Sequence, residues 1–215
     1  MGEIVVIFSD YEYPSSLFHL SNKSVVIDAG ANIGAFSLFV QKKFNVKKIY
    51  CIEPFKPNFV QLKKNLKINH LEQACKPSLL ALGDKNKDVF LQTGLLEDSV
   101  YVTKVNTGLI ASQIKISTFC RLNSIQHIDL LKLDVEGAEY CILNEDIKFL
   151  SKHVAQIILE YHTVPGKNGL SIISNMVRNY FHCILIEDGH LFLINKSFFR
   201  DISVSGAKSK TFTWG

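Results

Sequence analysis

The sequence Val25-Val-Ile-Asp-Ala-Gly-Ala-Asn-Ile-Gly34 decides the fold. Its first three residues are apolar and β-branched, which favours a short buried strand that ends at Asp28. Gly30, Asn32 and Gly34 then form a tight loop, and the apolar residues that follow predict a helix. A strand, a glycine-rich turn and a helix in this order begin a doubly wound α/β sheet, so the sequence predicts an α/β protein that binds a nucleotide-like ligand at this turn.

The residues of this loop narrow the choice of ligand. A dinucleotide fingerprint, Gly-x-Gly-x-x-Gly/Ala, needs a bare second glycine where the backbone contacts a pyrophosphate. Counted from Gly30, that position is Asn32, so the loop disfavours a pyrophosphate, and the sequence has no Walker-type phosphate loop. Asp28 favours a positive charge on the ligand. S-adenosylmethionine has an adenosine, a positive sulfonium and no phosphate, so it is the cofactor that we predict at Asp28, Gly30, Asn32 and Gly34.

A second predicted strand ends at Glu53, which lies 19 residues after Gly34. At about this spacing an acidic residue accepts hydrogen bonds from ribose hydroxyls in nucleotide-binding sheets. The alternative is a glutamate that caps the next helix. Because the loop before it already favours an adenosine ligand, we predict that Glu53 binds the ribose.

Two further segments extend this pattern: Ile-Glu-Pro at 52–54 and Lys-Leu-Asp-Val-Glu-Gly-Ala-Glu at 132–139. Together with the loop, they resemble the FkbM family of S-adenosylmethionine-dependent methyltransferases over residues 25–162. The resemblance implies a Rossmann-like class I methyltransferase fold and O-methylation of hydroxyls on sugars, glycolipids or secondary metabolites. It also implies that Pro54 belongs to the cofactor site and that Ala81 and Leu82 lie along the adenine.

Apolar segments elsewhere complete a seven-stranded, mostly parallel sheet. They lie at 48–53, 76–84, 128–134, 155–162, 182–187 and 190–195. In the class I order 3-2-1-4-5-7-6, with an antiparallel last strand, the third strand is at an edge, where Pro77 is tolerated. We predict a single domain over residues 1–215, with an N-terminal cap or connection at 1–24 that includes a strand at 4–8, an insert at 85–118 and a mobile lid at 163–169. The resemblance implies that the insert lies beside the substrate site.

Acidic residues and a histidine follow the fourth and fifth strands. Asp134 and Glu136 follow the fourth, and Glu160 and His162 end the fifth. Ligands of open α/β sheets bind outside the carboxyl ends of the strands where the strand order reverses. We therefore predict that Asp134 contacts the cofactor and that all four side chains surround the transferred methyl, whereas Glu139 caps the following helix. Capping of that helix is also the alternative role for Asp134 and Glu136.

The proposed chemistry is attack of an acceptor hydroxyl on the methyl carbon. His162 is the predicted base because an isolated imidazole titrates near neutral pH. Glu136 either orients the imidazole or acceptor or is itself the base. A divalent metal bound by Asp134, Glu136 and Glu160 is the alternative, but no metal-ligand spacing is evident, so we predict a metal-free site.

The composition bears on partners and location. The chain has 24 Lys and Arg against 20 Asp and Glu, a net charge of +4. Lysines between 42 and 67 are interpreted as solvated helix faces, with RNA or an anionic membrane surface as the alternative. No Asp/Asn-Pro-Pro-Tyr/Phe motif occurs, which argues against methylation of base amino groups. We predict a small-molecule or glycan hydroxyl acceptor rather than nucleic acid; an RNA or protein methyltransferase and a non-catalytic cofactor-binding module are the alternatives.

The sequence has five cysteines without a Cys-x-x-Cys pair, which predicts reduced thiols. It has no signal-peptide pattern and no long apolar run. We therefore predict a cytoplasmic protein without a membrane span.

Overall fold

Two layers of helices enclose a seven-stranded sheet, and a second sheet of four strands follows its third strand in the chain. The computed structural model describes residues 13–94, 100–162, 168–187 and 189–199. The strands are β1 (Val25–Ala29), β2 (Lys48–Ile52), β3 (Cys75–Ser78), β4 (Ala81–Leu82), β5 (Lys87–Thr93), β6 (Val100–Thr103), β7 (Ile110–Ile114), β8 (Ile128–Leu133), β9 (Val154–Glu160), β10 (Phe181–Glu187) and β11 (His190–Asn195). The helices are α1 (Ala35–Phe44), α2 (Lys56–Ile68), α3 (Ile116–Leu122), α4 (Glu139–His153) and α5 (Gly169–Val177), with a short 3₁₀ helix at Ser15–Leu17.

The main sheet has the order β3-β2-β1-β8-β9-β11-β10. All pairings from β3 to β9 are parallel, whereas β11 runs antiparallel to both β9 and β10. Counted within this sheet alone, the order is 3-2-1-4-5-7-6 with an antiparallel seventh strand, which confirms the predicted class. The order reverses between β1 and β8, and this is the point at which ligands bind in sheets of this kind.

The third strand differs from its prediction as one continuous segment at 76–84. β3 ends at Ser78, at the edge of the main sheet, and Ala81–Leu82 pairs in parallel with β7 of the second sheet. The chain changes sheets here because Ala81 and Leu82 are buried against the second sheet and the adjoining core, whereas Leu79 between the two strands is exposed. The second sheet has the order β4-β7-β5-β6, and its strands β5 and β6, which pair antiparallel, lie within the 85–118 insert.

Apolar residues cover both faces of the main sheet, as expected for parallel strands between two helical layers. Val26 packs on the side of α1 and α2, and Ile27 packs on the side of α3, α4 and α5. Tyr13 and Phe18 extend the first of these cores. The ring of Tyr13 lies 5.0 Å from that of Phe36, and the ring of Phe18 lies 5.8 Å from that of Phe192. The described part of the N-terminal segment is therefore packed on the core.

Two predicted segments lie outside the described residues: the strand at 4–8 and positions 163–167 of the predicted lid. Among the helices in the described part of the chain, none has both the length and the hydropathy that a membrane span requires.

Candidate active site

The loop after β1 adopts a backbone that only particular residues accept. Gly30, Asn32 and Gly34 have φ angles of +77°, +47° and +92°, in the left-handed region. Asn is among the few residues with a side chain that enter this region readily. A Cβ atom on Gly30 would lie 1.7 Å from the carbonyl oxygen of Asp134, so a side chain cannot be accommodated there. The loop therefore passes directly against the end of β8.

A cleft opens outside the carboxyl ends of β1, β2 and β8. It encloses about 620 Å³ of space between atoms, part of which is open to solvent. The structure brings eight of the predicted site residues to its wall: Gly30, Asn32, Glu53, Pro54, Ala81, Leu82, Asp134 and Glu136. The wall also contains apolar residues that the sequence analysis did not assign to the site. Among them are Leu80, between β3 and β4, and Leu91, Val100 and Val102 of the second sheet.

Glu53 is a buried carboxylate fixed in the wall of the cleft. Its side chain accepts hydrogen bonds from the backbone N–H of Asn32, at 2.9 Å, and of Phe55, at 2.8 Å. Burial raises the pKa of Glu53 to about 7, although these two hydrogen bonds and the charge of Lys132 act to lower it. A carboxylate has about four acceptor positions, so two remain for ligand hydroxyls.

Asp28 and Gly34 lie behind the loop and do not line the cleft, contrary to the predicted contact with the ligand. The pleat of β1 turns the Asp28 side chain towards α1, where it is fully buried and accepts a hydrogen bond from Ser37 Oγ at 2.5 Å. Gly34 caps the N-terminus of α1, and a Cβ atom there would lie 2.6 Å from Leu62 Cδ1. Both residues therefore support the loop on the side away from the cleft.

Lys132 is a buried residue of the site that the sequence analysis did not single out. Its Nζ lies 3.0 Å from Asp134 Oδ2 and donates a hydrogen bond to the carbonyl oxygen of Gly30 at 2.9 Å. Burial lowers its pKa, but Asp134, Tyr13 and Asp28 outweigh that effect and raise it, so Lys132 is a cation. A lysine among the apolar residues Leu130, Leu131 and Leu133 was the sequence signal that could have identified it.

His162 stands between two carboxylates at the end of β9. Its Nδ1 lies 2.9 Å from Glu139 Oε1, and its Nε2 lies 3.1 Å from Glu136 Oε2. Burial lowers the pKa of His162, but the hydrogen bonds and charges of Glu136 and Glu139 raise it to about 10. The imidazole is therefore protonated near neutral pH in the free protein, which conflicts with its predicted action as a neutral base. The basis of that prediction, the pKa of an isolated imidazole, does not hold between two anions.

Glu139 anchors this cluster. It is the first residue of α4 and is fully buried. Its Oε1 accepts hydrogen bonds from the backbone N–H of Val135, at 3.3 Å, and of Gly137, at 3.2 Å, in the turn before the helix. The carboxylate thus binds the turn and His162 rather than the amides of its own helix. Glu136 lies in that turn with a φ of +51°, which directs its carboxylate to both the imidazole and the cleft.

Asp134, Glu160 and His162 each place one potential metal-ligand atom within 4.8 Å of the others. A protonated imidazole has no lone pair to offer a metal, and Lys132 already contacts one oxygen of Asp134. Glu160 Oε1 lies 4.0 Å from His162 Nε2. In the free protein these contacts form an ion-pair cluster.

Comparison with known proteins agrees with this architecture. The model of the methyltransferase FkbM domain matches residues 28–192. Methyltransferase sdnD of Sordaria araneosa is 27% identical over 177 residues, which span 64% of this chain and 65% of that protein. The chain therefore covers slightly less than two thirds of the length of this relative.

Solved structures are similar in fold. The FkbM methyltransferase of Methylobacillus flagellatus KT has a TM-score of 0.66 and 15% identity, over 86% of this chain and 47% of that one. An rRNA methylase of Streptococcus thermophilus has a TM-score of 0.52 and 10% identity, over 90% of this chain and 94% of that one. The family match covers well over half of the sequence and includes the glycine loop, Glu53 and the His162 cluster. The chain belongs to the FkbM methyltransferase family.

Proposed function

We propose that the protein transfers the methyl group of S-adenosylmethionine to a hydroxyl of a small molecule or glycan. The observation that carries this proposal is the cleft itself, in which a fixed carboxylate, Glu53, lies on one side and the Asp134 and Glu136 carboxylates lie on the other. The Glu53 carboxylate suits a ribose diol. The Asp134 and Glu136 carboxylates suit a cationic sulfonium and an acceptor hydroxyl. Family membership supports the same chemistry.

The strand order supports one orientation of the cofactor. With the ribose at Glu53 on β2, the adenine extends towards Ala81 and Leu82 beyond β3. The methionyl part then extends the other way, towards Gly30 and Asp134 at the ends of β1 and β8. In this orientation the methyl carbon lies near Glu136, and an acceptor enters beside His162.

The protein's contribution to methyl transfer is alignment and removal of one proton, since the cofactor supplies the leaving group. The acceptor oxygen forms a bond to the methyl carbon while the bond from carbon to sulfur breaks, which leaves neutral S-adenosylhomocysteine. We assign the released proton to Glu136. His162, held as a cation by Glu139, orients that carboxylate. Asp134 completes the polar wall of the cleft, whereas Glu160 lies outside that wall, 4.0 Å from His162 Nε2.

Calorimetry and turnover test this function together. Wild-type protein is titrated with S-adenosylhomocysteine and then assayed for its release from S-adenosylmethionine with a panel of sugars, glycolipids and phenols, and with RNA in a separate arm. We expect Glu53→Gln to weaken binding at least tenfold. Glu136→Gln should keep binding within about threefold and lower turnover at least a hundredfold.

Glu145→Gln is the matched control, because Glu145 is an exposed acid of α4 outside the cleft. It should change neither quantity. Absence of binding to both cofactor forms by the wild type would overturn the proposal, and release with RNA alone would replace the hydroxyl metabolite by nucleic acid as the acceptor.

A further inference from the structure

Lys132 is a charged residue where the fold calls for an apolar one. It belongs to β8, in which Leu130, Leu131 and Leu133 are fully buried. Only 5% of the Lys132 side chain is exposed. Burial of an ammonium group is costly unless every proton has a partner. A lysine at this position therefore points to a functional role that offsets the cost of burying its charge.

Three partners surround the ammonium group. It donates to the carbonyl oxygen of Gly30 at 2.9 Å, contacts Asp134 Oδ2 at 3.0 Å and lies 3.6 Å from Asp28 Oδ1. The rings of Tyr13 and Phe36 lie 5.9 and 5.8 Å from Nζ. The cation is thus held at one position by two carboxylates, one carbonyl group and two aromatic rings.

These partners belong to the two chain segments that border one end of the cleft. Gly30 and Asp134 both line it, the first from the loop after β1 and the second from the end of β8. Asp28 lies behind them and away from the cleft. Lys132 therefore joins the two cleft-lining segments from beneath. Because its Nζ occupies Asp134 Oδ2, the other carboxylate oxygen of Asp134 is left for a ligand.

We propose that Lys132 is a positioning residue for the amino-acid part of the cofactor. It fixes the Gly30 carbonyl and the Asp134 carboxylate, which lie on either side of that part. This inference rests on the proposed function, because it takes the orientation of S-adenosylmethionine from it. Lys132 does not touch the adenosine half, which lies at Glu53, Ala81 and Leu82 in that orientation. Its contacts therefore affect ligands that carry the amino-acid part. Because its charge also lowers the pKa of Glu53, the titrations are run well above pH 7, so that Glu53 is deprotonated.

The test compares two variants that share one background. Asp28→Asn retains Lys132 with its contacts to Gly30 and Asp134. Asp28→Asn combined with Lys132→Met removes both fully enclosed charges at once and leaves only Asp134, whose side chain is partly exposed to solvent, without its cation. Each is titrated with S-adenosylhomocysteine and with 5′-methylthioadenosine, which lacks the amino-acid part. Asp28→Asn combined with Lys132→Gln serves as a second variant, because its shorter amide cannot reach both partners.

We expect the double variants to bind S-adenosylhomocysteine at least tenfold more weakly than Asp28→Asn does, and 5′-methylthioadenosine within threefold of it. Equal loss for both ligands would show a general structural role and overturn the inference, as would unchanged affinity for S-adenosylhomocysteine. Failure of both double variants to fold while Asp28→Asn folds would also count against it, since it would make Lys132 a requirement of the fold. A wild type that bound neither ligand would contradict the proposed function instead.

Discussion

Glu53 is the individual residue whose titration bears most directly on binding. Its carboxyl group has a pKa of about 7 in the free protein. Hydroxyl donors favour the charged form of a carboxylate, so the ligand binds best when Glu53 is deprotonated. We expect the affinity for S-adenosylhomocysteine to rise about tenfold from one pH unit below 7 to one unit above. Calorimetry across this interval measures the effect, and Glu53→Gln should remove it. A flat profile in the wild type would contradict the assignment.

His162 makes a prediction about stability. Its folded pKa of about 10 exceeds its ordinary value of 6.5, so its ion pairs stabilise the protein fully below pH 6.5. This contribution is lost as the pH rises through 10. The free energy of unfolding should therefore fall over this interval more steeply in the wild type than in His162→Gln. Denaturant unfolding at several pH values measures it. His127→Gln, at an exposed histidine, is the control and should follow the wild type.

Residue types and their spacing, together with the family resemblance, placed eight of the cleft-lining residues near one another, because the ends of parallel strands meet at one edge. They could not predict how the charges pair. His162 and Glu139 are 23 positions apart and meet only because the end of β9 lies beside the start of α4. The direction of Asp28 depends on which face of β1 meets α1, and the loop sequence alone does not show this.

Among the elements, the glycine loop is the one that tolerates least change. Gly30 and Gly108 share a φ of +77°, but a Cβ atom would meet the Asp134 carbonyl oxygen at the first and nothing within 4 Å at the second. Gly108→Ala should cost about 1–2 kcal/mol of unfolding free energy from backbone conformation alone. Gly30→Ala should cost more and abolish binding of S-adenosylhomocysteine. Denaturant titration and calorimetry on both variants provide the measurement; similar losses would show that the close approach to β8 is relaxed in solution.

The apolar segments of the sequence predicted where the main-sheet strands lie along the chain, and the resemblance to class I methyltransferases predicted their order in the sheet. The second sheet was harder to anticipate. β4 contains only Ala81 and Leu82, and its partner β7 lies about 30 positions later, so local periodicity predicted one long strand instead of two short ones. The break after Ser78 is set by long-range pairing.

At the scale of the whole molecule, the cleft joins the two sheets. Gly30, Glu53 and Asp134 come from loops of the main sheet, whereas Leu91, Val100 and Val102 come from the second sheet. A ligand bound there should stabilise both. At a hundredfold excess over Kd, we expect S-adenosylhomocysteine to add about 2.7 kcal/mol and raise Tm by about 5–10 °C in one transition. Calorimetric scanning tests this, with Glu53→Gln at the same ligand concentration as the control. Two transitions, of which only one moves, would mean that the second sheet does not close the site.

The path of the chain through the second sheet has an evolutionary consequence. The polypeptide leaves the main sheet after Ser78 and returns to its helical layer at Ile116, so β4 to β7 form an excursion between two anchored points. Insertions, deletions or replacements can change this segment during evolution while the pairing of β1 with β2 and β8 stays intact. We therefore expect lineages that diverged in their acceptors to vary most between these two points, and to retain the glycine turn and the carboxylate of Glu53 almost without change.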